Sequence, residues 1–279
     1  MTAIRRALLA VLLLFWLHTP LAAGTQGGIV TPDWTVAETL LALGMAPQGV
    51  GEIAGYRTWV GTPAMPEGVR DIGLRMQPNL ELLAQMKPAR ILLTPMFLSL
   101  ERPLSRIAPV AVIDTPAGAT AWDAAVGQTE AIGRLTGRRE AAAELIRATR
   151  EHIAALGAQI QAPEQPLLVA QVIDAAHLRV FGADSLYGGV LARLGLRNAW
   201  RGPSNSWGFA LVSLQELAAV EGRLVIVAPV PVGSDITASG FWRSLPAVKR
   251  DEVLWLPAAW PFGALPSARR FADILAAAL

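Results

Sequence analysis

The sequence predicts an α/β protein of two lobes, each with a central parallel-type sheet, joined by a single long backbone helix. Three observations carry this reading. First, residues 79–95 align without a gap on residues 213–229. Each copy opens on a side chain able to cap a helix (Asn79, Ser213), continues as a short helix and a turn, and closes in an apolar strand at 91–93 or 225–227. The second copy adds the capping-box spacing of Ser213 and Glu216. Second, residues 39–45 and 190–196 both read as helix ends closed by a glycine, Gly44 and Gly195. The two pairs occur in the same order, which marks an internal duplication. Third, residues 138–161 lie between the copies, bounded by Gly137 and Pro163, with Leu145, Thr149, Ile153, Leu156 and Ile160 on one helical stripe. A helix of that length reaches about 36 Å, enough for a rigid strut.

In chain order, residues 1–23 read as a secretory leader. Arg5 and Arg6 form a basic start, residues 7–16 are apolar, and Leu21, Ala22, Ala23 and Gly24 offer small residues for cleavage. The apolar run is shorter than the roughly 20 residues of a spanning helix. The expected divisions are then an N-terminal lobe at 24–137, the linking helix at 138–162 and a C-terminal lobe at 163–279. The chain has 24 Lys+Arg against 22 Asp+Glu, and the leader removes two arginines and no acid, so the mature protein is close to neutral. That argues against nucleic acid or an acidic membrane as partner. The absence of cysteine excludes disulfides, thiol nucleophiles and an N-terminal lipid-anchoring Cys, which points to a free periplasmic protein.

Catalytic patterns are missing. The mature chain has two histidines, His152 on the strut, read as a solvated helix residue, and His177 in a turn. There is no G-x-S-x-G, phosphate loop or H-E-x-x-H, and Asp184 with Ser185 reads as a helix N-cap pair. What stands out is aromatic. Trp34 follows the first strand, Tyr56 and Trp59 sit in a loop, Asn205 and Trp207 precede the second repeat, and Trp260 and Phe262 follow the strand at 253–256. Aromatics outside the apolar runs suit a ligand cleft, and in parallel α/β folds that cleft lies at the strand ends. Trp122 and Trp242 read as helix packing, Trp200 and Trp255 as core.

With these residues in view, the chain resembles the periplasmic ferric-hydroxamate siderophore-binding proteins of ABC importers, the FhuD family. The resemblance runs from about Ile29 to the C-terminus. It rests on residues 40–44, 56–60, 71–75, 78–83, 180–182 and 198–200 and on Trp260, and most of all on the contexts of Arg75 and Trp207. It implies that Arg75 hydrogen-bonds the hydroxamate oxygens around the iron, that Trp34, Trp59, Trp207 and Trp260 line a shallow cleft, and that Asn205 assists. Phe97 stands where the family has a tyrosine, Phe262 at another usual tyrosine, and Phe209 at a small hydroxyl residue. Phe97 and Phe262 are carried as ligand contacts in a cleft more apolar than the family pattern. A ferric trihydroxamate is neutral at its iron, so one or two good donors and an aromatic cradle suffice.

The resemblance further implies a ferric siderophore ligand such as a ferrichrome, an inner-membrane ABC permease as partner, a monomer, and no resident cofactor, because iron arrives inside the ligand. One surface glutamate per lobe docks the permease, for which Glu101 and Glu216 are the nearest candidates. Cobalamin or haem within the same class, or an exported hydrolase, are the competing readings. Haem binders offer an iron-ligating Tyr or His, and only Tyr56 and Tyr187 are present as tyrosines.

Overall fold

The computed structural model describes residues 27–279 except positions 116, 117, 232 and 234. The leader therefore lies outside the described residues, among which no helix is long and apolar enough to cross a membrane.

The first sheet is assembled from β1 (Ile29–Thr31), β2 (Gly49–Val50), β3 (Arg70–Asp71), β6 (Arg90–Leu93) and β7 (Val110–Val112), in the order β3-β2-β1-β6-β7, every pair parallel. Its crossovers carry α1 (Trp34–Ala42), α2 (Ile53–Trp59), the small hairpin of β4 (Gly73–Leu74) and β5 (Gln77–Pro78), and α3 (Leu80–Met86). A 3-10 segment (Pro95–Leu100) running into α4 (Glu101–Leu104) precedes β7. Then come α5 (Ala121–Thr136) and the long α6 (Arg139–Gln159).

The second sheet holds β8 (Leu167–Val172), β9 (His177–Phe181), β10 (Phe209–Ser213), β11 (Arg223–Val227) and β12 (Val253–Leu256), in the order β10-β9-β8-β11-β12. Helices α7 (Leu186–Arg193), α8 (Leu214–Leu217), α9 (Gly240–Ser244), α10 (Pro246–Lys249) and α11 (Leu265–Ala276) accompany it.

The duplication is visible as topology. The repeated strands β6 and β11 hold the same, fourth place in their sheets. Asn79 and Ser213 cap the helices before them, accepting from the amides of Leu82 and Glu216, and Glu216 closes the capping box. Gly44 and Gly195 take left-handed φ of 74° and 73°. The amides of Met45 and Leu196 then reach back to Leu40 and Leu191.

The expectation of two parallel sheets fails in the second. There β9 runs antiparallel to both β8 and β10. The cause is local: Asp174 Oδ1 accepts from the amides of Ala176 and His177, tightening the β8–β9 connection into a hairpin. A connection so short cannot make a parallel crossover.

Helix α6 spans 21 residues, about 32 Å. Gly137, at φ 71°, ends α5 and turns the chain into it. Its buried face serves both sheets, with Ala142 in the core around Val36, Leu92 and Ile132, and Ile146 and Ile153 in the core around Val169, Val190 and Phe271. Hinge closure would have to break one of these packed cores. X-ray scattering profiles of free and ligand-loaded protein are therefore expected to superimpose; a clear compaction on loading would refute a rigid strut. His152 on α6 is not simply solvated, since its Nε2 lies 2.5 Å from Asp273 Oδ1 on α11.

Candidate functional site

A cavity of about 550 Å³ opens between the two sheets, with Arg75, Trp207, Trp260 and Phe262 among its lining. A second depression, on the outer face of α5 and α6, has no aromatic lining, and its Arg147 is already paired with Glu144 and Glu151. The interlobe cavity is the candidate site.

Arg75 is carried at the tip of the β4–β5 hairpin, which is tied down by Asp71: Oδ1 accepts from Gly73 N and Oδ2 from Ile53 N. The hairpin closes over Gly51, where an added Cβ would stand 3.1 Å from Pro32 Cα and 3.2 Å from Arg75 Cα, so no larger residue fits without a shift. The Arg75 side chain is 15% exposed. Its guanidinium carbon lies 4.2 Å from the Trp34 ring centre, 5.2 Å from Phe97 and 5.6 Å from Trp260. Nε donates to Pro32 O at 3.3 Å and Nη2 stands 3.9 Å from Asp33 Oδ1. Burial lowers the guanidinium pKa, with Asp33 and Glu52 opposing. Asp33 is nearly inaccessible and fully engaged, capping α1 through the Thr35 amide and accepting Thr94 Oγ1 at 2.5 Å. The arrangement is a cation stacked on rings, oriented by Pro32 O, on the lining of the cavity.

The aromatic wall is an edge-to-face series. Trp260 lies 5.1 Å from Trp34, 5.7 Å from Trp59 and 5.3 Å from Phe262, and Phe262 lies 6.0 Å from Trp207. Such pairs add to the stabilisation from area burial alone. Trp207 is 47% exposed and is the ring most open to a ligand.

The sequence-predicted residues take different places in this geometry. Trp34 is not in a loop; it opens α1, is buried, and donates Nε1 to Gly51 O at 2.8 Å. It serves as the platform under Arg75. Trp59 ends α2, half-buried against Trp260. Phe97, expected as a contact, has no exposed surface and packs in the core with Ile72, Leu83 and Leu93. It forms a floor beneath Arg75.

Asn205 directs its side chain to its own turn, Oδ1 accepting from the amides of Trp207 at 2.9 Å and Phe209 at 3.3 Å. It holds Trp207 in place rather than reaching the cavity. Gly208, at φ 75°, completes that turn with an ideal Cβ only 2.5 Å from Ser185 N. Trp255 is not core: β12 is an edge strand, and this ring lies 49% exposed beside Trp242. Glu101 and Glu216 are both exposed; the Glu216 carboxylate accepts from Ser213 N and Oγ. Sequence reading missed Asp33, whose only local sign is a helix-capping position, and Thr94, which has none.

Two sheets bridged by one long helix, with a cation and an aromatic wall facing the space between, define a two-lobed solute-binding protein. The chain belongs to the periplasmic binding protein family, which matches residues 29–259. Among its relatives is the iron(3+)-hydroxamate-binding protein FhuD of Escherichia coli (strain K12), 33% identical over 97% of this chain and 95% of that protein. Among solved structures, the siderophore-binding protein FhuD of Vibrio cholerae bound to Fe3+–Desferal superposes with a TM-score of 0.86 at 28% identity, covering 91% of this chain and 98% of that one. FhuD2 of Staphylococcus aureus with bound ferrioxamine B shares the fold, with a TM-score of 0.73 at 19% identity over 90% and 97% of the two chains.

Proposed function

We propose that this protein is an exported, periplasmic solute-binding protein that captures ferric hydroxamate siderophores in the interlobe cleft and delivers them to an inner-membrane ABC permease, without catalysing a reaction. The observation that carries the reading is the single guanidinium of Arg75, stacked among rings on a cavity that Trp207, Trp260 and Phe262 line together with Asp114 and Asp184. That suits an iron complex whose charge is neutralised by its own hydroxamates, and the likeness to the Escherichia coli protein supports it. Iron is cargo in this reading, held by the ligand, and the chain needs no resident cofactor. Glu101 and Glu216 are proposed contacts to the permease, and the protein acts as a monomer.

Haem is disfavoured on specific grounds. Tyr56 and Tyr187 are fully buried, their hydroxyls donate to Pro63 O and Ala259 O, and burial pushes both phenols up. Neither can ligate an iron in the cleft.

The test is a tryptophan-fluorescence titration with ferric hydroxamates, a ferric catecholate, cobalamin and haem. Saturable quenching by the hydroxamates alone is expected, with Trp207 as main reporter. Preference for any of the others, or turnover of an ester panel, would replace the proposal.

A further inference from the structure

A second arginine stands near the cleft without a counter-ion. Arg179, in the middle of β9, pairs across the sheet with Gln171 on β8 and Leu211 on β10, which places the three on one face of the second sheet. Its guanidinium carbon lies 4.5 Å from the Phe209 ring centre and 5.2 Å from Phe262, and Phe262 lines the interlobe cavity. The cation is thus one ring away from the ligand space. Nη1 reaches Gln171 Oε1 at the long distance of 3.5 Å, and Nε is buried with no partner. Gln171 is 1% exposed, and its Nε2 also lacks a partner. Among the described residues Arg179 makes no ion pair, unlike Arg75, which has Asp33 nearby.

This combination is costly without an acceptor. A half-buried guanidinium with no acid, beside a buried amide with an orphaned N–H, leaves donors desolvated that an oxygen anion would satisfy. The planar fork suits a carboxylate, and the carboxamide adds a donor beside it. The two phenylalanines stand at positions where the resemblance led to a hydroxyl and a tyrosine. On this part of the wall the Arg179 and Gln171 nitrogens therefore lie behind rings, while Asp184 and Ser206 are the polar groups of the second half that line the cavity itself.

We propose that Arg179 and Gln171 form an anion subsite on the second-sheet wall of the cleft, taking a carboxylate that the siderophore carries apart from its iron-binding hydroxamates. The inference rests on the siderophore reading for its ligand and on Arg179 and Gln171 for its place.

The probes are ferrioxamine B with its terminal amine acetylated, which is neutral there, and the same amine succinylated, which ends in a carboxylate. The parent is expected to bind the succinyl form about tenfold more tightly. In Arg179→Leu the ratio between the two should collapse to about one, and Gln171→Leu should reduce it in part. Equal affinities in the parent would overturn the proposal. So would an equal loss for both derivatives in Arg179→Leu, which would mean that the arginine serves the hydroxamate oxygens instead.

A second measurement does not need siderophore binding: the thermal shift caused by succinate over equal ionic strength of chloride. Stabilisation of the parent and of Arg75→Ala, lost in Arg179→Leu, supports the subsite even if no ferrioxamine binds, in which case the siderophore reading alone falls. No succinate effect together with no ferrioxamine binding overturns both.

Discussion

Replacing Glu38 with alanine is expected to lower the melting temperature by roughly 10 °C. Glu38 lies on α1, completely buried, yet its partners are 226 and 229 residues away: the Ala264 amide donates to Oε1, and Ser267 Oγ lies 2.5 Å from Oε2. These groups open α11, whose N-cap Ala264 has no capping side chain of its own. A carboxyl from one end of the chain caps a helix at the other. Alanine would leave two buried polar groups unpaired and a void, together on the order of 3–5 kcal/mol.

Burial pushes the Glu38 carboxyl up to about 8 from 4.5, with Asp33 adding to the rise and the bonds from Ser267 and Ala264 opposing it. The folded protein therefore holds this proton more tightly than the unfolded chain. The contribution is complete below pH 4.5 and is lost as pH rises toward 8. Glu38→Gln should remain close to the parent in stability at neutral pH and flatten that slope. Thermal melts between pH 5 and 9 give both readings; an unchanged slope in the glutamine variant would show that other groups set it.

Arg75→Ala is expected to weaken ferric hydroxamate binding by about ten- to a hundredfold, the 1.5–3 kcal/mol of a charge-assisted hydrogen bond. The guanidinium is already desolvated and aimed, held by Pro32 O and the Trp34 face, so little order is lost when ligand binds. Arg75→Lys should recover only part of the affinity, because an ammonium keeps the charge and loses the planar stacking. Parent-like affinity of the alanine variant, measured by the same titration, would remove Arg75 from the site.

Features set by neighbours in sequence were readable from it. Asn79 and Ser213 announce helix starts, and Gly44 and Gly195 announce helix ends, because capping and left-handed φ depend on one or two residues. The stripe on α6 was readable for the same reason. Features set by distant partners were not. Glu38 looks like a polar interruption of an apolar helix until α11 is folded against it. Arg179, between Leu178 and Val180, has the alternation of a solvent-facing strand residue, and nothing local places Phe209 and Phe262 over it. Phe97 was readable as an aromatic near the cleft, but its depth depends on how Arg75 and the β4–β5 hairpin close above it. The reversed β9 follows from the short connection after β8, which Asp174 holds by accepting from the Ala176 and His177 amides.

The rings that finish the cleft come from the last tenth of the chain, yet Trp260 packs in the same core as Trp34, Tyr56 and Val69, and Thr35 Oγ1 donates to Phe262 O. A polypeptide that emerges amino-terminus first must therefore wait for its tail before the mouth of the pocket exists. Until then the first half presents an unfinished edge of tryptophan and a carboxyl with no mate. Completeness of the chain and closure of this wall of the cleft become one event.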